Sequence, residues 1–225
     1  MEINAQFDEP VLKRTDEIDW VPSPMVGVDR RMLDRIGDEV ARATSIVRYA
    51  KGSSFPEHTH SGGEEFIVLE GVFQDEHGNY PAGTYIRNPV GTHHVPGSDP
   101  GCTIFVKLWQ FDPADQEQIS VDLNAIATVP DPMRPGVSSA EVAARDYEHV
   151  SLEVWDANAE VALLDAAGFE MLILEGTLIH EQEEFGRHDW IRWPAEKPAN
   201  FTAGGEGTRV WIKRGHLTNI TAPVK

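Results

Sequence analysis

The sequence predicts an all-β fold built from antiparallel strands. Short runs rich in β-branched and aromatic residues alternate with glycine, proline, asparagine and aspartate, a pattern typical of strands joined by turns. The clearest runs are residues 43–49, 65–70, 83–87 and 103–111. Helical periodicity is confined to two brief stretches, residues 30–36 and 112–119. An internal repeat predicts, in addition, that one set of strands occurs twice.

The repeat becomes visible when the sequence is shifted by 105 residues. Residues 65–71 (EFIVLEG) then align with 170–176 (EMLILEG), and residues 85–89 (YIRNP) align with 190–194 (WIRWP), with no gap between the two matches. After one inserted residue, 102–107 (CTIFVK) align with 208–213 (TRVWIK). Repetition over this length predicts a duplicated domain, and 225 residues suffice for two domains of about 100 residues each.

Charge and composition exclude several classes of partner. The net charge is −18, and no run of lysine or arginine could follow a phosphate backbone, so nucleic acid and anionic membranes are poor partners. The one cysteine, Cys102, permits no intramolecular disulfide, which suits a reducing compartment. The first ten residues show no basic segment followed by an apolar run, and no apolar stretch of about 18 residues occurs. We therefore expect a cytoplasmic protein.

Four residues have the spacing of metal ligands. His58 and His60 are two residues apart, so on a strand their imidazoles point to the same side. A Ser-Gly-Gly turn then lets Glu64 open the next strand beside them, and His94 follows a proline- and glycine-containing turn further along the chain. Convergence of histidine and glutamate is what divalent-metal binding requires. These four residues are the predicted ligands of one metal ion.

The two segments resemble the paired motifs of the cupin superfamily, G-x5-H-x-H-x3-E-x6-G and G-x5-P-x-G-x2-H-x3-N. The match holds at every position from Gly52 to Gly71 and from Gly83 to His94. Only the last position departs, because Ser98 stands where the pattern has asparagine. That asparagine is not a ligand in the superfamily, so the departure affects local packing and leaves the metal set intact. The resemblance implies an RmlC-like double-stranded β-helix, or jelly-roll barrel, and with the repeat it implies a bicupin.

Further segments resemble the ChrR-type cupin family. They are residues 62–66 (GGEEF), 71–78 (GVFQDEHG), 80–85 (YPAGTY) and 101–108 (GCTIFVKL). The close match covers about residues 42–112. The family includes the C-terminal cupin domain of zinc-binding anti-sigma factors and stand-alone proteins called acetylacetone-dioxygenase-like. By position, the family's His/His/Glu/His metal set falls on His58, His60, Glu64 and His94.

The resemblance and the repeat together predict four segments. They are an N-terminal arm that packs on the barrels (1–41), a metal-binding barrel (42–112), a linker (113–145) and a degenerate second barrel (146–225). The shift of 105 places Leu163, Asp165, Phe169 and Ala199 at the four ligand positions. The second barrel should therefore lack a metal set and have a filled interior, so that the chain binds one divalent metal ion in its N-terminal barrel only.

The pocket beside the metal is predicted from strand alternation. Counting from Glu64 places Phe66 and Val68 on the inward face, where they would form an apolar wall. Lys107 is a third pocket candidate, because it could reach an anionic ligand inside the barrel. It could equally pair with an acidic residue outside the barrel.

The ligand types leave the metal and the function open. Three imidazoles and one carboxylate suit Zn, Fe(II), Mn, Ni or Cu(II). Four protein donors close a tetrahedral zinc site, whereas Fe(II), Mn or Ni would keep positions for water, O2 or a chelating substrate.

The resemblance implies two functions. The first is a regulatory or sensory protein related to anti-sigma factors, with a sigma factor as partner. Cys102 is the one cysteine, so the His-x3-Cys-x2-Cys motif of the sigma-binding domain is missing. The alternative is an Fe(II)-dependent dioxygenase of the acetylacetone-cleaving type, which cleaves a carbon–carbon bond in a small β-dicarbonyl-type molecule. Assembly as a homodimer is left open.

Overall fold

A computed structural model describes residues 1–223 and divides the chain into two compact units. The first unit contains Met1–Ala5, Ile18–Ala125 and a short C-terminal segment from Thr221, and the second contains Gln6–Glu17 and Ile126–Ile220. Strands dominate both units. The helical segments of the described residues are two single 3-10 turns, Thr15–Glu17 and Leu123–Ala125. The all-β prediction is confirmed.

The strands of the described residues are numbered β1 to β22 in chain order. They are Glu2–Ile3, Val11–Lys13, Val21–Pro22, Val28–Gly37, Ala41–Tyr49, Ser53–Ser54, His58–Thr59, Glu64–Asp75, Gly78–Pro81, Thr84–Asn88, His93–His94, Gly97–Ser98, Cys102–Leu108, Ile119–Asp122, Val129–Pro130, Val137–Arg145, Glu148–Trp155, Glu160–Leu163, Phe169–His180, Glu183–Phe185, Trp190–Trp193 and Ala199–Arg214.

The main sheet of the first unit has the strand order β1-β4-β5-β13-β8-β10-β14, and its neighbouring strands are antiparallel. The two stretches with helical periodicity are not helices. Residues 30–36 lie in β4, where a register shift between Met32 and Asp34 breaks the alternation that normally identifies a strand. Residues 112–119 form turns and coil up to the start of β14.

The sheet of the second unit has the order β15-β16-β17-β22-β19-β21-β2. Strand β2 lies within the predicted N-terminal arm, whereas β1, β3 and β4, from the same arm, pair within the first unit. Strand β16 lies within the predicted linker. Both units therefore extend beyond the barrel limits drawn from the sequence, because additional strands pair with backbone groups that would be exposed at the sheet edges.

The duplication is visible in the strand register. Glu64 pairs with Asn88 in the first unit, and Phe169 pairs with Trp193 at the equivalent positions of the second. The glycines of the repeat are equivalent as well. Gly71 and Gly176 have positive φ values of 71° and 74°, and a Cβ at either position would overlap the carbonyl oxygen of a facing glycine.

Each unit has its own apolar core. The core of the first unit includes Val47, Phe55, Phe66, Val68, Phe73, Ile104 and Val106. The core of the second unit includes Trp155, Leu163, Phe169, Met171, Trp193, Ala199 and Phe201. The candidate ligands of the first unit border its core, whereas three of the four counterparts in the second unit, Leu163, Phe169 and Ala199, are part of its core.

Candidate metal centre

Strand pairing brings the four predicted ligands together. Strands β7 and β11 place His58 directly opposite His94. His60 follows β7, and its backbone N–H donates a hydrogen bond of 2.8 Å to the carbonyl of Thr92. Glu64 is the first residue of β8. The four side chains therefore face one point. His58 and His60 come from the β7 region, His94 comes from the paired strand β11, and Glu64 follows a tight turn.

The distances between donor atoms suit a single metal ion. His60 Nε2 lies 3.3 Å from His94 Nε2 and 3.3 Å from Glu64 Oε2, and the His94–Glu64 separation is 3.8 Å. With His58 included, one donor atom from each of the four lies within 4.8 Å of the others. Two donors bound to one ion at about 2.1 Å are separated by roughly 3 to 3.5 Å. The donor set therefore fits a transition-metal ion.

Thr92 sets the tautomer of His60. The Thr92 hydroxyl donates its hydrogen to the carbonyl of Pro89 at 2.7 Å, so it acts as an acceptor for His60 Nδ1 at 2.9 Å. A proton on Nδ1 leaves the lone pair of His60 Nε2 directed at the other donors. The sequence indicated the ligand but not this partner, which lies 32 residues away.

Glu64 is oriented by an amide on the neighbouring strand. Asn88 Nδ2 lies 3.4 Å from Glu64 Oε2, and Gln118 Nε2 donates to Asn88 Oδ1 at 2.9 Å. This small chain of amides links the carboxylate to β10 and to the residues that precede β14. It holds one carboxylate oxygen towards the imidazoles.

The local environment keeps His60 neutral and favours a proton on His94. Burial lowers the pKa of His60, and the nearby imidazoles of His94 and His58 lower it further, although Glu64 opposes them. Burial also acts to lower the pKa of His94, but the carboxylates of Asp75 and Glu64 outweigh it and raise this pKa. A metal ion would compete with a proton for the Nε2 of both histidines.

A cavity of about 530 Å³ adjoins the ligands. Its walls are mainly apolar and aromatic, from Val47, Tyr49, Phe55, Ile104, Val106, Leu108 and Trp109, and His58, His60 and Glu64 line it as well. His58 is exposed, whereas the other three ligands are buried. The loop residues Met25 and Val40 are part of the lining and are 41% and 62% exposed. The cluster therefore has one side that is accessible to a small molecule.

The structure changes the prediction for the pocket residues. Phe66 and Val68 do lie in the apolar core on the cavity side, among the residues packed behind its lining. Lys107 does not lie on that side. It pairs in register with Glu65, one residue past Glu64, and its Nζ donates to Thr44 Oγ1 at 2.8 Å. Because successive strand residues face opposite sides of a sheet, Lys107 is on the face away from the cavity.

Sequence reasoning missed most of the cavity lining. Val47 and Tyr49 come from β5, and Ile104 and Val106 come from β13. Alternation within each strand could have identified these residues, but only after the pairing of β5 with β13 was known. Met25 lies in a turn with no periodic signal.

The positions equivalent to the ligands are mostly apolar in the second unit. Leu163, Phe169 and Ala199 are buried in its core, and Asp165 lies in the turn that precedes β19. A cavity of about 760 Å³ borders Ala199, and it is open to the surface, since the exposed residues Glu181, Glu183 and Lys197 also line it. The histidines there have other contacts: His149 lies 3.1 Å from Glu141, and His180 lies 2.9 Å from the carbonyl of Asn200.

Two further residues that the sequence analysis named, Ser98 and Cys102, are buried in the first unit. Ser98 occupies the position of the expected asparagine, is buried, and donates a hydrogen bond of 2.6 Å to the carbonyl of Val72. Cys102 is a buried free cysteine, and burial raises the pKa of its thiol to about 11. This thiol is therefore protonated and unreactive at neutral pH.

Residues 8–112 match the family model described as the ChrR Cupin-like domain. No curated protein is significantly similar to the chain in sequence. Among the described residues, no helix has the length and apolar character needed to span a membrane.

Solved structures with the same fold share little sequence with this chain. A candidate dioxygenase from Nostoc punctiforme has a TM-score of 0.77 at 12% identity, over 97% of this chain and 87% of that one. The bacterial pirin of Escherichia coli, in complex with nickel(II), has a TM-score of 0.61 at 14% identity, over 92% and 98% of the two chains. HEPD from Streptomyces albus, with 2-hydroxyethylphosphonate and Fe(II) bound, has a TM-score of 0.62 at 8% identity, over 97% and 78%.

Proposed function

We propose that this chain, whose residues 8–112 match the ChrR cupin-like domain, binds one divalent transition-metal ion and presents it to a small organic molecule. The ion would be held by His58, His60, Glu64 and His94. Only the N-terminal unit would hold an ion, because the equivalent positions of the second unit carry leucine, aspartate, phenylalanine and alanine. The reaction proposed is oxidative cleavage of a β-dicarbonyl-type substrate.

The observation that supports an enzyme is the cavity of about 530 Å³ that adjoins the ligand cluster. A purely structural metal site has four protein ligands and needs no space for a further one, whereas a catalytic site keeps a position open. Here His58 is exposed and lines the cavity. A molecule in the cavity could thus reach an ion held by the four residues.

The lining indicates the kind of molecule. Val47, Ile104 and Val106 suit an apolar body, and the phenol of Tyr49 offers a hydrogen-bond donor. Burial raises the pKa of Tyr49 well above its ordinary value, and the charge of Glu64 adds to this, so the phenol stays protonated. The bound metal would supply a Lewis acid and a route for electrons between substrate and O2. The protein residues hold the substrate and limit the access of water.

The metal would be Fe(II) for this reaction, with Zn, Mn and Ni as the other members of the candidate set. Nickel(II) in the pirin structure and Fe(II) in HEPD are bound by proteins of the same fold. These ions were observed in those proteins, and they guide the choice of metals to test with this chain.

The test is reconstitution followed by oxygen uptake. Metal-free protein would be loaded anaerobically with Fe(II), Zn(II), Mn(II) or Ni(II) and mixed with acetylacetone and related β-dicarbonyls. We expect O2 consumption with Fe(II), and its loss in a His94→Ala variant that keeps the circular dichroism spectrum of the parent. A fully Fe(II)-loaded protein that consumes no O2 with any of these compounds would contradict the enzyme proposal.

A regulatory or sensory role is the second candidate. It is supported by the match of residues 8–112 to the ChrR cupin-like domain, since the family includes domains of anti-sigma factors. In this case the chain would retain zinc through purification and bind a purified sigma factor in a metal-dependent way. Failure of metal-loaded chain and sigma factor to co-elute in size-exclusion chromatography would argue against this role. Size-exclusion chromatography of the chain alone would show, from its elution volume, whether it forms a homodimer.

A further inference from the structure

The carboxylate of Asp75 lies behind the imidazole of His94. His94 Nε2 faces His60 and Glu64, at 3.3 and 3.8 Å, so Nε2 is the atom available to a metal. The other ring nitrogen, Nδ1, lies 3.4 Å from Asp75 Oδ2. Both side chains are almost completely buried, at 4% and 6% exposure. Asp75 is 19 residues from His94 in sequence and was not among the residues expected at the site.

The carboxylate is held rigidly. Asp75 Oδ1 accepts hydrogen bonds from the backbone N–H groups of His77 and Gly78, at 2.8 and 3.1 Å, and from the hydroxyl of Tyr80 at 3.2 Å. These three donors occupy Oδ1 and leave Oδ2 directed at His94. A carboxylate fixed in this way limits the rotation of the imidazole.

The repeat provides an internal comparison. The shift of 105 residues places His180, Phe185 and Ala199 at the positions of Asp75, Tyr80 and His94. All three replacements border the 760 Å³ cavity of the second unit, whereas Asp75, Tyr80 and His94 border a cavity of only about 180 Å³. The carboxylate and the hydroxyl that holds it are thus present in the unit that has the imidazole and absent from the equivalent positions of the other.

We propose that Asp75 is a positioning residue for the metal ligand His94. The carboxylate accepts a hydrogen bond from the Nδ1–H of His94. This contact selects the tautomer with a lone pair on Nε2 and directs that lone pair at His60 and Glu64. At 3.4 Å the contact is long for a hydrogen bond. We expect it to shorten if Nε2 binds a cation, because the imidazole N–H would then be a stronger donor. This inference rests on the proposed metal site.

The test measures metal affinity rather than turnover. Competition between the protein and a chromophoric chelator gives the Kd for Zn(II) and Co(II). Asp75→Asn keeps the shape and removes the charge, and we expect its Kd to rise about 10- to 100-fold, the usual effect of losing such a partner. Tyr80→Phe removes one of the three hydrogen bonds that hold the carboxylate and keeps its charge, so a smaller increase in Kd is expected.

Asp131 provides a matched control in the second unit. Its Oδ1 accepts the backbone N–H two residues ahead at 2.9 Å, the same turn contact that Asp75 makes with His77, but its other contact is with Arg134. Asp131→Asn should leave the Kd unchanged. The thermal midpoint of the metal-free proteins separates a positioning role from a structural one. If Asp75 were purely structural, Asp75→Asn would lower this midpoint and leave the Kd unaltered.

A second readout is spectroscopic. In the Co(II)-loaded parent, the Nδ1 protons of His60 and His94 should give shifted, slowly exchanging proton resonances, because both nitrogens are buried and have acceptors. In Asp75→Asn one of these signals should broaden or exchange rapidly. A Kd within twofold of the parent, with both signals retained, would overturn the inference. Absence of metal binding by the parent would instead overturn the proposed function.

Discussion

Leu163 lies directly opposite Ala199 across a pair of antiparallel strands, in the same register that places His58 opposite His94. Both apolar residues are buried, at 6% and 3% exposure. One backbone framework thus carries a pair of metal-ligand candidates in one unit and a pair of core residues in the other. The difference between the two units at this position is one of side-chain chemistry.

This pairing predicts an unequal response to exchanged side chains. Leu163→His places an imidazole in an apolar core, where its ring nitrogens lose their hydrogen bonds to water. We expect this substitution to destabilise the second unit by about 2 to 4 kcal/mol. His58→Leu should be nearly neutral in metal-free protein, because His58 is exposed beside a cavity. Urea unfolding followed by tryptophan fluorescence would measure both, since residues 20 and 109 are tryptophans of the first unit and residues 155, 190, 193 and 211 are tryptophans of the second. Equal shifts of the two urea midpoints would contradict this prediction.

The metal stoichiometry should be one ion per chain. Elemental analysis after loading and desalting should give about one divalent ion, and a His58→Ala, His60→Ala double variant should lose it, because two of four donors are removed. His149→Ala together with His180→Ala is the control, since these histidines contact Glu141 and the carbonyl of Asn200 instead. Two ions per chain in the parent would be incompatible with a site in the first unit only.

Narrowing the cavity mouth should weaken ligand binding without loss of the metal. Val40 lines the cavity and is 62% exposed, so Val40→Trp adds bulk at the rim with little cost to the core. We expect the Kd or KM for a β-dicarbonyl to rise about tenfold, because the larger side chain would partly block the entrance and remove an apolar contact with the ligand. Val129→Trp is the matched control, because Val129 is 66% exposed and belongs to the second unit. Reduced metal content in Val40→Trp would point to a general distortion instead.

His188 should make the stability of the second unit depend on pH. Burial lowers the pKa of His188 from 6.5 to about 4, and Arg187 adds to the effect. Between these pH values the unfolded chain binds a proton that the folded chain does not, so stability should fall as pH decreases from about 6.5 to 4 and this contribution should level off below.

His188→Asn removes the titrating group and tolerates the positive φ of 70° at this position. The variant should therefore lose less stability than the parent between pH 7 and pH 4, when urea midpoints are compared in the presence of EDTA. His77→Asn, at an exposed histidine of the first unit, should follow the parent. Parallel pH profiles for the parent and His188→Asn would show that His188 takes up no proton on unfolding.

Local spacing in the sequence was sufficient to predict three of the four candidate ligands, and the second motif supplied His94. The i, i+2 relation of His58 and His60 and the short turn before Glu64 depend on geometry within a few residues, which sequence alone determines. The repeat likewise predicted the register of the second unit, so that Leu163 and Ala199 occupy the positions of His58 and His94.

The supporting residues and the cavity were decided by tertiary structure. Asp75 and Thr92 reach the ligands through strand pairing over 19 and 32 residues, and no local pattern encodes such a contact. The face on which Lys107 lies depends on its register with Glu65. The first 41 residues are divided between two sheets, and this division depends on which sheet edges pair with additional strands. Backbone hydrogen bonding between distant segments is satisfied only in the folded chain, so these features could not be read from residue spacing.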